Sequence, residues 1–214
     1  MSEELSMLCP DDRLAAVVAQ LRDDDEGGLA TMASLLQNWP LDPQLHFLKG
    51  SVLAGLQRYD EGRAAMARAI EIAPDFALAR FQLGFLDLTS GRAIDAMGVW
   101  QKLGDLAEDA PLRVLAEGLA NLAADNFAEA ARLIKMGMAL NVENSLINAD
   151  MQLILDEIGS REKQQVAAGS QSVSDRAAPP EAQQASSQTE APPSAVDLLL
   201  RQQALRDSPS KLNH

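Results

Sequence analysis

The chain has 214 residues, 47% hydrophobic but only 4% aromatic, so its core must be aliphatic and alanine-rich, and it is long enough to bury one. The formal net charge of −13 resides in residues 1–160, which carry 25 acidic and 12 basic side chains. An acidic body repels phosphate, which argues against nucleic-acid binding and docking on anionic lipid, and an apolar run no longer than Leu14–Ala19 argues against membrane insertion.

Residues 1–10 read as a flexible start. Glu3 and Glu4 stand where a secretory leader carries positive charge, so a cytoplasmic location is expected. Cys9, the single cysteine, permits no intrachain disulfide. Two helices are expected at about 11–22 and 28–38. The acidic run Asp23-Asp24-Asp25-Glu26 between them lacks cation-ligand spacing and reads as a solvated turn.

From residue 43 the sequence repeats. Gly50, Gly84 and Gly118 follow one another at 34 residues. The same phase holds for Tyr59, Ala93 and Phe127, for Met66, Trp100 and Ile134, and for Glu61, Asp95 and Glu129. A fixed period of this size marks stacked supersecondary units. Each unit reads as two helices around a tight turn; in the middle one, apolar stretches at 76–88 and 93–106 flank Thr89-Ser90-Gly91. Gly91 suits a left-handed residue after the first helix. Pro43 and Pro111 suit first helical positions, where a missing N–H costs nothing, and Pro74 closes a second helix. A mid-helix glycine costs about 1 kcal/mol against alanine. Its recurrence predicts two helices too close for a side chain.

Beyond the repeats, Ile147, Met151, Ile154 and Ile158 share one face of a helix over 145–159, a cap ended by Gly159. Residues 161–193 are rich in Gln, Ser, Ala and Pro, with Val166 and Val173 as their large aliphatics, and read as a disordered linker. An apolar island follows at 194–207, with Val196, Leu198, Leu199, Leu200 and Leu205. It reads as a short amphipathic helix begun by the capping pattern Ser194-x-x-Asp197, and 208–214 as a disordered end. The island is expected to dock on a partner or in the chain's own groove.

The stretch 43–142 resembles the tetratricopeptide repeat (TPR), a 34-residue unit. Leu83-Gly84 and Ala96-x3-Trp100 carry the likeness, with Gly62-x3-Met66, Ala69, Pro74 and Ala130-x3-Ile134. Lys49 and Glu117 depart from its leucine, and Asp87 and Asn121 from its aromatic. The resemblance implies an all-α, right-handed helical solenoid. Its clear repeats would lie at about 43–76, 77–110 and 111–144, after a degenerate one at about 11–42. It also implies a concave groove lined by the first helix of each repeat, here Phe47, then Leu78, Phe81, Phe85 and Leu88, then Leu115, Leu119 and Leu122. Carboxylate-clamping relatives place Lys, Asn and Arg there. Leucine and phenylalanine suit an apolar or amphipathic protein segment instead.

The histidines are His46 and His214, so no His pair or His-Cys site can be assembled, and no metal, cofactor or enzymatic activity is expected. The expected function is a protein-interaction module, an adaptor or assembly factor. The alternative is a cytoplasmic chaperone for secreted proteins of the type III translocator kind, since such chaperones are similar in being small, acidic and three-repeat.

Overall fold

A computed structural model describes residues 8–174, and among them every regular element is helical. They divide into two compact units, 8–106 and 107–174. The island at 194–207 lies outside the described residues.

Unit one opens with α1 (Asp11–Gln20) and α2 (Asp25–Asn38). Asp24 caps α2 by accepting from the Gly27 N–H at 2.9 Å, so this helix starts within the acidic run rather than at residue 28. Cys9 is buried against Val17, Leu29 and Met32, and burial first, then the Asp42 carboxylate, pushes its thiol pKa up. A raised pKa disfavours the reactive thiolate.

The helix pair α3 (Pro43–Gly55) and α4 (Tyr59–Ile72) follows, then α5 (Ala77–Thr89) and α6 (Ala93–Trp100). Asp42 is buried at the head of α3, where Oδ1 accepts from the Gln44 and Leu45 N–H groups and Oδ2 from Cys9 N–H at 2.7 Å. The helix expected through residue 106 ends at Trp100 and tightens into a 3-10 turn over Gln101–Asp105. Gly98 and Gly104 weaken α-helix there, and 3-10 turns commonly finish helices.

Unit two pairs α7 (Pro111–Ala123) with α8 (Phe127–Leu140) and ends in α9 (Ser145–Ser174). Ile147, Met151, Ile154 and Ile158 are buried, as the spacing predicts. The expected stop at Gly159 is corrected, because α9 continues through residues read as linker. Arg161 lies 5.2 Å from the Phe127 ring centroid, and strong helix formers such as Glu162, Lys163 and Gln164 follow.

The 34-residue phase governs the turns and the helix contacts alike. Positive φ recurs at Gln57 (62°), Gly91 (78°) and Asp125 (58°). Each is followed by a bond closing the preceding helix, from Arg58 N to Leu53 O, Arg92 N to Asp87 O and Asn126 N to Asn121 O. Gly50 meets Met66, Gly84 meets Trp100, and Gly118 meets Ile134. A Cβ at Gly84 would fall on the indole, which is held by Nε1 donating to Phe81 O at 3.0 Å. Gly84→Leu is therefore expected to cost about 3 kcal/mol by overpacking. Gly98→Ala, where a Cβ meets nothing within 4 Å, should gain up to about 1 kcal/mol. Amide exchange across α5 and α6 measures both; equal effects would dismiss the packing argument.

One face breaks the pattern. Ala79, Leu83 and Leu86 of α5 are buried, as are Ile147, Met151 and Ile154 of α9. The positions 34 residues on from those of α5, and 34 before those of α9, are Arg113, Glu117 and Ala120 on α7. There Arg113 Nε pairs with the exposed Glu117 at 2.9 Å.

Candidate partner-binding surface

The structure separates the eight residues of the expected groove. Phe81 (1% exposed), Leu88, Leu115, Leu119 and Leu122 (2% or less) are core, which corrects the groove at these positions. Phe81 packs on Trp100 with centroids 6.2 Å apart and on Phe85 at 6.4 Å. Phe47, Leu78 and Phe85 are half-buried and reachable.

The reachable row of α5 is Leu78, Gln82, Phe85 and Thr89, at i, i+4, i+7 and i+11. Its counterpart on α3 is Gln44, Leu48, Ser51 and Gly55, with Gln44 and Gly55 exposed and the others half-buried. On α5, then, Leu78 and Phe85 lie on the reachable row, whereas Phe81 and Leu88 are buried.

Beside Phe47 lies a cleft that the sequence reading did not identify. It holds about 310 Å³ and is lined by Pro43, Gln44, Ala73, Pro74, Asp75 and Phe76. The Phe47 ring meets the Phe76 ring edge-on at 5.2 Å. Its walls are held in place on both sides. On one, Asp42 caps the helix that begins at Pro43. On the other, Arg80 Nη2 donates to Pro74 O at 2.8 Å, and Phe76 N to Ala73 O at 3.0 Å. Pro43 and Pro74, read as helix punctuation, were the available signal, because 31 residues separate them rather than the repeat length.

Asp87, at the position where the repeat usually has an aromatic, is fully buried. Its Oδ1 accepts from Arg63 Nε at 2.7 Å and Arg92 Nε at 2.8 Å. The carboxylate thus ties α4, α5 and the turn before α6. The Asp87 bond holds the Arg63 guanidinium pKa above its ordinary value. Asn121, at the other departure, donates to Glu117 O at 3.0 Å and is half-buried.

Among the described residues no group of three or more His, Cys, Asp and Glu side chains is placed to hold a metal ion. Nor is any helix there long and apolar enough to cross a membrane.

Paired helices on a 34-residue phase define an all-helical, TPR-like solenoid fold. Among solved structures the chain is similar to MamA 41-end from Desulfovibrio magneticus RS-1, at 15% identity and a TM-score of 0.51, over 83% of this chain and 99% of that one. It is also similar to the MamA RS-1 ArsTM double mutant, at 15% identity and a TM-score of 0.54, over 95% of this chain and 98% of that one. No protein-family model matches the chain, and no curated protein matches it.

Proposed function

We propose that the chain is a non-catalytic protein-interaction module, an adaptor or assembly factor that holds an apolar or amphipathic segment of a partner protein. The observation that carries this reading is the apolar surface of unit one. There the cleft at Pro43, Pro74 and Phe76 adjoins Phe47, and two residues beyond Phe76 the row Leu78–Phe85 begins. Half-buried aromatic and aliphatic side chains on rigid helices lose little entropy on binding, which favours them as anchors.

A photo-cross-linking residue in place of Gln82 tests the reading in the native cell. It is expected to form an adduct with a partner protein, and Phe85→Ser and Leu78→Ser are each expected to lower the yield about tenfold, equivalent to 1.4 kcal/mol. Amide exchange of α5 should stay unchanged in both variants. Adduct yields indifferent to both substitutions would overturn the assignment of this row.

A further inference from the structure

We propose that residues 195–206 of the same chain occupy the cleft in cis, with Leu200 as the seated side chain and Arg201 beside Asp75. The inference rests on reading the cleft as a docking site and adds its occupant.

The chemistry of the cleft narrows the choice. Its walls are Pro43, Ala73, Pro74 and Phe76, and 310 Å³ suits one side-chain anchor rather than a whole helix. Asp75 is exposed at the lining, and among the described residues no ion pair engages it. The nearby Arg80 spends donors on Pro74 O and Val99 O. An aliphatic side chain followed by a cation is therefore the complementary ligand.

The residues outside the described part contain that pattern twice, as Leu200-Arg201 and Leu205-Arg206. Residues 1–7 offer Leu5 and Met7 beside Glu3 and Glu4, the wrong sign for Asp75. The stretch 175–194 holds no leucine, isoleucine, valine or methionine. Charge agrees: 195–214 carries Arg201, Arg206 and Lys211 against Asp197 and Asp207, whereas the body is acidic.

The 20 residues 175–194 set an upper limit of about 66–72 Å on the distance the segment after them can lie from Ser174. Attachment to the same chain makes the contact intramolecular, with an effective concentration of up to about the mM range. A weak contact is then populated within one chain while remaining displaceable by a partner.

The full chain with a photo-cross-linking residue in place of Gln44, purified alone and dilute, tests the proposal. The expected product is a monomeric adduct mapping to 195–206, with a yield independent of protein concentration and reduced about tenfold by Leu200→Asp or Arg201→Glu. Adducts to the same segment found only in dimers would assign the cleft to a second copy and overturn the in-cis proposal. An absent adduct, or a yield indifferent to both substitutions, overturns it as well. The Gln82 arm separates the two readings: partner adducts there, with none from Gln44 to the tail, leave the interaction surface standing and remove only its internal occupant.

Discussion

Phe81→Ala is expected to remove about 3–5 kcal/mol of stability from residues 8–106, the range for deleting a buried aromatic ring. The ring is 1% exposed and lies against Trp100 and Phe85. Phe81 O also accepts the indole N–H of Trp100, so a cavity here loosens both the ring stack and the α5–α6 contact at Gly84. Native-state amide exchange of α5 and α6 reports the loss directly. Phe85→Ser, on the half-buried row, should cost far less and show itself in cross-linking yield instead. A Phe81→Ala chain with unaltered exchange would return this side chain to the surface and restore the groove that the sequence suggests.

Asp87→Ala should cost about 3 kcal/mol. Removing one member of a buried ion pair typically costs 3–5 kcal/mol because the remaining charge has lost its partner. The lower end applies because the Arg63 and Arg92 side chains are 37% and 31% exposed and recover some hydration. Exposed Asp95 and Asp60 offer them only weak alternatives, at 3.5 and 3.8 Å. Asp87→Asn keeps the shape and an acceptor, so its loss should be smaller. A urea titration of the two variants decides. Equal, small losses would mean that the carboxylate is a spectator.

The fold was legible because its determinants are local and periodic. Gly50, Gly84 and Gly118 announce helix contacts that the structure places on Met66, Trp100 and Ile134, residues that keep the same phase. The groove was only partly legible. Helix α5 buries Ala79, Phe81, Leu83, Leu86 and Leu88, so it is apolar around much of its circumference, and periodicity does not say which stripe meets solvent. The tertiary neighbours decide that, and for Phe81 they are Trp100 and Phe85. The cleft left only the off-period spacing of Pro43 and Pro74 in the sequence, because Pro43 and Phe76 converge only when α3 and the start of α5 are placed side by side. Gly159 misled for the opposite reason. A single glycine weighs about 1 kcal/mol, too little to stop a helix with good formers on its far side.

The Arg113–Glu117 face of α7 bears on how unfolding is distributed. Repeat proteins share cooperativity through the apolar faces that neighbouring repeats bury, one interface at a time. On α7 those positions hold an ion pair and alanine in place of Leu83 and Leu86, so this face of the helix offers little apolar surface to bury. Within residues 8–106 the apolar faces are well supplied, so a destabilised Phe81 or Asp87 variant should loosen α4, α5 and α6 together.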